Sequence, residues 1–431
     1  MGEDTSPTTG PRAWPSDGTR TDRPSASPSR DSSVHVARAP GRGSSRTCVQ
    51  DSAPGPVRSS RHLEGTPLIV FIVGTTAELI KIAPVHHELI SRGSAPEIWY
   101  TGQHVQELPA VLGDLELPDP AVWLVPRESA KNLARTAQVP GWVTRVARTT
   151  LSRRAELRRR LRADGRTPVV LVHGDTFTTF IGAMIGRMLG AKVGHIEAGM
   201  RSGHLLHPLP EEINRKLTSG LAHLHFAPSE VEVKNLSGRR GVVCTGGNTV
   251  IDAVRLVLER GPADEVGDLP AGYGLSTLHR FELVRDQKAY TQALRALKDT
   301  SATMPIVYFA GESEKARLVE YDLLGLFDDR FVIKDKLRYV DFLPVLSGAR
   351  FVVTDSGGVQ QECAHLGIPC AIHRLKTESH QGLGENAILT EMDVARLGHF
   401  LQDVDSYRRT DLDDDAHPSR VVVDAIERLE V

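Results

Sequence analysis

The chain has 431 residues and a formal net charge of −2, so nothing in its overall balance marks a nucleic-acid binder. No apolar run approaches the length of a membrane span. The four cysteines, Cys48, Cys244, Cys363 and Cys370, stand far apart without a CxxC pair and read as reduced thiols of a cytoplasmic protein.

Residues 1–65 are dominated by Ser, Pro, Arg, Gly and Thr and hold one aromatic, Trp14. Such a segment buries too little apolar surface to offset its ordering entropy, so it is expected to be disordered. It lacks the continuous apolar stretch of a signal peptide, and Glu3, Asp4, Asp17, Asp22 and Asp31 set it apart from a transit peptide. The remainder is more than one core usually serves, so two domains are expected, over 66–255 and 270–414. The Gly/Pro/acidic stretch Gly261–Pro270 lies between them, and 415–431 reads as a helix N-capped by Ser419 that packs back across the domains.

Apolar, β-branched runs predict strands at Leu68–Val73, Ile98–Thr101, Val169–Val172, Val193–Ile196 and Val242–Thr245. A second set falls at Gly274–Leu278, Ile306–Ala310, Phe351–Thr354 and Cys370–Ile372. Apolar strands alternating with helical patterns mean parallel sheets covered on both faces. The fold class is therefore α/β, two Rossmann-like doubly wound domains facing a central cleft where a ligand sits.

The chemistry-bearing residues follow in chain order. Gly74–Lys81 (GTTAELIK) is a strand-to-helix turn that can hold an anion, with Lys81 projecting from the first turns of the helix. The basic run within Arg145–Arg166 has no interleaved aromatics and reads better as the solvated face of a helix whose Val143, Val146, Leu157 and Leu161 face the core. Asp175, Glu197 and Glu211 each follow an apolar β-forming run, beyond the strand ends where open α/β sheets bind ligands. Taken singly, each suits helix capping or a surface ion pair; together they suit acid/base chemistry on a ligand. His204 with His207, and His223 with His225, have metal-like spacing but no third ligand, so no metal is expected. His279–Arg280 ends the first strand of the second half, pointing a titratable group and a fixed cation into the cleft. Finally, Phe351–Gly367 reads as strand, Ser-Gly-Gly turn and helix. Gly357 and Gly358 let backbone approach a phosphate, Ser356 opens the helix, and Glu362 sits one turn in, where it can accept ribose hydroxyls.

With these motifs the chain resembles the UDP-N-acetylglucosamine 2-epimerase family from about Leu68 to Glu427. The resemblance is carried by GTTAELIKIAPV, TGQH, HGDT, GHIEAGMRSG, PLPEEINRK, TGGNTVIDA, LHRFE and TDSGGVQQE. It implies the two-domain, glycosyltransferase-B-like architecture, a UDP-N-acetylhexosamine substrate held between the domains, no cofactor, and a homodimer. It also implies that Asp175, Glu197, Glu211 and His279 are catalytic. Lys81, Ser356, Gly357, Gly358 and Glu362 would serve the nucleotide, and Arg201 lies beside the catalytic Glu in EAGMR. The implied reaction inverts the sugar's second carbon by eliminating UDP to a glycal and adding it back, in supply of sugars for polysaccharides or secondary metabolites. Arg280 and the Ser356–Gly358 helix end would stabilise the departing diphosphate. A hydrolysing variant that releases N-acetylmannosamine and UDP, and a glycosyltransferase of the same architecture, are the alternatives. Three departures stand out: Thr76 and Ser379 replace family arginines, and Gly311–Glu314 (GESE) replaces the family's HxNP pattern. The last puts carboxylates where an activating second substrate would bind, so simple saturation kinetics are expected.

Overall fold

The computed structural model describes residues 68–429 except 131, 134–135, 164, 202–210, 261–266 and 413–414. The N-terminal extension, His204, His207 and most of the expected boundary stretch lie outside the described residues. Among the described residues the first sheet has seven parallel strands: β1 (Ile69–Val73), β2 (Glu97–Tyr100), β3 (Val122–Trp123), β4 (Val169–His173), β5 (Lys192–Ile196), β6 (Leu224–Ala227) and β7 (Val242–Cys244). Their order is β3-β2-β1-β4-β5-β6-β7. The second sheet has six: β8 (Gly274–Thr277), β9 (Ile306–Ala310), β10 (Phe331–Asp335), β11 (Val352–Thr354), β12 (Cys370–Ile372) and β13 (Ala387–Leu389). They run β10-β9-β8-β11-β12-β13, again all parallel. In both sheets the strand order reverses direction from a central strand, which opens the crevice at the carboxyl ends where ligands sit.

All nine strands read from apolar runs are present, with ends moved by a residue or so. The four that the runs did not reveal have physical reasons for being hidden. β3, β10 and β13 are edge strands, two to five residues long, and β10 carries Lys334 and Asp335 on a half-exposed face. β6 is interior, but His225 interrupts its apolar pattern; its Nε2 lies 3.1 Å from the Ser219 carbonyl.

Helix starts follow from capping chemistry. Thr75 and Glu78 form a capping box for the helix Thr76–Ser91, Thr176 caps Phe177–Leu189, and the Ser356 hydroxyl accepts from the Val359 N–H. The basic run forms two helices, Val139–Ser152 and Arg154–Leu161. Trp142, Val146, Leu157 and Leu161 are buried, while Arg153 and Arg160 pair with Glu156 and Glu97.

One continuous apolar core joins the two halves. It runs from Phe71, Leu171 and Phe226 on the first sheet, through Val254, Val257, Val422 and Ile426 on helices, to Leu275, Val352 and Cys363 of the second. The helix Pro418–Glu427 returns to the first half, where Arg92 pairs with Asp424 at 2.6 Å and Glu427 at 2.8 Å. Its N-cap is His417 rather than Ser419. Ser419 lies inside the first turn and donates its N–H to Asp252 at 2.7 Å. Proline at the first helical position explains the earlier start, because its missing N–H costs nothing there. Among the described residues no helix is long and apolar enough to cross a membrane.

Candidate active site

Glu197 leaves the end of β5 with φ of +63°, the left-handed region that a glutamate enters only when its surroundings dictate it. The following Gly199 (φ +88°) completes the turn, and a Cβ there would lie 2.5 Å from the Glu232 carbonyl oxygen. The turn aims the Glu197 carboxylate inward, where Oε2 receives Lys81 Nζ at 2.5 Å and Asn248 Nδ2 at 2.5 Å. His173 Nε2, from the last residue of β4, is 3.5 Å away. Burial pushes the Glu197 carboxyl up, but Lys81, His173 and Asn248 outweigh it and hold the group at about 2. Burial also drives His173 down to about 3, so its ring stays neutral. Glu197 is a fixed negative charge throughout the neutral range.

The other two carboxylates behave oppositely. Asp175, just beyond β4, and Glu211, the first residue of the helix Glu211–Leu221, are both pushed above the usual carboxylate range. Burial is the largest cause for each; Glu197 and Glu378 add to it at Asp175, and Asp175 and Glu378 add to it at Glu211. Arg215, one turn after Glu211, opposes this by donating Nη2 to Asp175 Oδ2. Asn214 Nδ2 fixes the Asp175 carbonyl at 2.9 Å. Glu211 Oε2 is buried without a hydrogen-bond partner among the described residues, an arrangement that favours a carboxyl able to hold a proton.

Facing these groups from the second sheet is a cationic end. The Asp355 carboxylate, buried after β11, accepts the backbone N–H of His279 at 2.8 Å and of Arg280 at 2.7 Å. Its Oδ1 lies 3.3 Å from His279 Nδ1. Asp355 thereby ties the β8 turn to the β11 turn, and Arg280 Nε returns a hydrogen bond to its carbonyl at 2.9 Å. Gly357 and Gly358 open the helix Gly357–Leu366. A Cβ on them would meet only Arg374 Nη1 at 4.0 Å and Ser356 Oγ at 3.7 Å. The protein's own packing does not demand glycine here; room for a ligand against the N–H groups does. Arg374, after β12, adds a second, mostly buried cation beside the half-buried Arg280; burial and Arg280 both depress its proton affinity. Glu362 is buried on the same helix, and its carboxyl is pushed up to about 7 by burial, against the pull of Lys81 and the Tyr339 hydroxyl.

The structure thus assembles Lys81, Asp175, Glu197 and Glu211 on the first half, and His279, Arg280, Ser356, Gly357, Gly358 and Glu362 on the second. Arg201 donates to the Met200 carbonyl at 2.8 Å and lies 3.7 Å from Glu212, which itself lies 3.4 Å from Arg215. Six further residues at the site, His173, Arg215, Asn248, Asp355, Arg374 and Glu378, carry no role in the sequence pattern. Arg215 and Asn248 lie inside quoted motifs, four residues from Glu211 and in the TGGNT turn, and helical spacing alone points to the first. His223 and His225 serve backbone groups, the former accepting the Val193 N–H at 2.9 Å. The replaced HxNP segment also differs from expectation. Glu314 is turned inward to cap the Gly311 N–H at 2.8 Å, leaving only Glu312 exposed, so one carboxylate rather than two projects there.

Two Rossmann-like domains, an acid/base cluster and a facing helix end with paired arginines define an α/β enzyme site for a phosphorylated substrate. The profile of the UDP-N-acetylglucosamine 2-epimerase family matches residues 92–416. The Bacillus subtilis UDP-N-acetylglucosamine 2-epimerase is 32% identical over 359 residues, covering 79% of this chain and 89% of that protein. The Methanocaldococcus jannaschii UDP-GlcNAc 2-epimerase, solved with UDP-GlcNAc and UDP, superposes with a TM-score of 0.67 at 26% identity. The match covers 84% of this chain and 99% of that one. The Neisseria meningitidis enzyme bound to UDP-GlcNAc gives 0.68 at 28% identity, over 84% and 98%. The chain belongs to the UDP-N-acetylglucosamine 2-epimerase family.

Proposed function

We propose that this protein is a non-hydrolysing UDP-N-acetylglucosamine 2-epimerase that interconverts UDP-N-acetylglucosamine and UDP-N-acetylmannosamine. The observation that carries this reading is the division of labour among the carboxylates. One is clamped as an anion by Lys81 and Asn248, while burial raises the proton affinity of the other two, Asp175 on Arg215 and Glu211 with a buried oxygen, opposite a helix end suited to a diphosphate. The hydrogen on the sugar's second carbon has no adjacent carbonyl, so direct deprotonation is prohibitive. As the anomeric C–O bond breaks, its electron pair leaves with UDP, toward the Ser356–Gly358 N–H groups, Arg280 and Arg374. Glu197 supports the positive charge growing on the ring. One member of the Asp175/Glu211 pair takes the proton from the second carbon, and the C1–C2 double bond of a glycal forms. The other member returns a proton to the opposite face, and the UDP oxygen adds back to the first carbon. His279, fixed by Asp355, stands at the leaving-group side, and Glu362 serves the ribose.

Re-addition rather than hydrolysis is supported by the bridges across the cleft. Arg338 reaches Asp114 at 2.9 Å, and Glu378 links Arg215 to Arg374; a closed cleft retains UDP and excludes water. We take the domains as 66–255 and 270–414, followed by the 415–431 segment. The neighbouring helices Phe177–Leu189 and Glu211–Leu221 expose Met184, Ile213 and Leu217, a surface suited to a homodimer. A cytoplasmic location suits the free thiols of Cys363 and Cys370. Proton and phosphorus NMR of an incubation with UDP-N-acetylglucosamine tests the reading. UDP-N-acetylmannosamine should grow to equilibrium with little free UDP; stoichiometric UDP would assign the hydrolysing activity, and no conversion would overturn epimerisation.

A further inference from the structure

Glu378 lies beyond β12 in the second domain, yet it contacts the proton-transfer machinery of the first. Its Oε1 is 3.9 Å from Arg215 Nη2, and its Oε2 is 3.2 Å from Arg374 Nη1. All three side chains are mostly buried, at 14%, 4% and 12% exposure. Two buried guanidinium groups need shared anions to remain in place, and leaving either uncompensated is costly. We propose that Glu378 is a positioning residue for the proton transfers: it sets one anion between Arg215 and Arg374, within reach of the Asp175/Glu211 pair, and so links that pair to the diphosphate end. Its contacts therefore complete the acid/base pair across the cleft. This rests on the epimerase reading above.

Among the described residues, the charges that act on the pair can be named. Asp175 is faced by Arg215, Glu197 and Glu378; Glu211 is faced by Asp175, Arg215 and Glu378. The negative charge of Glu378 raises the proton affinity of both carboxyls, whereas Arg215 lowers it. Glu378→Gln keeps the side-chain length and deletes the charge. Both limbs of the pH–rate profile should then move to lower pH, by roughly one unit, since each limb reports a carboxyl that has lost a repelling neighbour. On the alkaline limb the rate should fall by up to about tenfold, the most that a one-unit displacement of a single proton can produce. The KM for UDP-N-acetylglucosamine should hold or fall, because Arg374 loses a competitor to the diphosphate.

The experiment records kcat and KM from pH 5 to 9 for the wild type and Glu378→Gln, with thermal melts of both. Glu378→Met, of similar length, serves if the amide variant does not fold, and the same displacement is required of it. A profile that superimposes on the wild type, with or without a lower melting temperature, overturns the proposal and leaves Glu378 a structural bridge. A rise in KM alone overturns it as well. If the wild type itself fails to convert UDP-N-acetylglucosamine, the epimerase reading has failed instead, and the two failures are distinct.

Discussion

Lys81→Met tests whether Glu197 is a permanent anion. The ammonium lies 2.5 Å from Glu197 Oε2, with side-chain exposures of 15% and 10%. Burial alone would raise the Glu197 carboxyl, but its partners hold it at about 2 against an ordinary 4.5. A depression of that size corresponds to about 3 kcal/mol, within the range found for breaking a buried ion pair. The folded-state value lies below the unfolded one. The stabilisation is therefore fully present above about pH 4.5 and is lost as pH falls through about 2. Urea unfolding followed by circular dichroism should show the variant weaker by about 3 kcal/mol at pH 7, with the gap narrowing steadily below pH 4.5. Lys81→Met combined with Glu197→Gln should recover most of the loss, because no buried charge is then left alone. Equal costs with and without Glu197, or a gap that ignores pH, would refute the reasoning.

Asp175→Asn and Glu211→Gln should each lower kcat at least about a hundredfold while UDP still binds by calorimetry, and wild-type turnover in either would remove it from the mechanism. Gly357→Ala meets no protein atom closer than 4.0 Å, so its melting temperature should hold while the UDP dissociation constant rises at least about tenfold. Unchanged affinity would dissociate this turn from phosphate binding. Glu362 has a folded-state carboxyl near 7, above its unfolded value, so its contribution to stability is present below about pH 4.5 and lost as pH rises through 7. Glu362→Gln should thus gain about 3 kcal/mol on the wild type between pH 4.5 and 8.5 in urea melts. A pH-independent difference would contradict a buried, proton-holding Glu362.

Much of the architecture was legible because buried parallel strands read as unbroken apolar runs. The strands that stayed hidden are those whose environment breaks that rule: the edges β3, β10 and β13, and β6 with its hydrogen-bonded His225. Site residues at strand ends, such as Asp175, Glu197 and His279, were visible because a polar group there has no role in the core. Their partners were not. Arg374 and Glu378 follow a three-residue strand, and which domain-one groups they meet depends on how the two sheets are joined. Neither the left-handed backbone of Glu197 nor the opposed proton affinities of the carboxylates can be read from spacing. Both arise from contacts made by residues far apart in the chain.

Solvent exchange at the sugar's second carbon tests the central claim most directly. Wild-type protein incubated with UDP-N-acetylglucosamine in deuterated water should place one deuterium on the second carbon of UDP-N-acetylmannosamine and, by reversal, of recovered substrate. Asp175→Asn and Glu211→Gln should slow this labelling at least about a hundredfold. Epimerised product carrying only protium at that carbon, or labelling that survives loss of both carboxyls, would contradict a mechanism of elimination and re-addition driven by that pair.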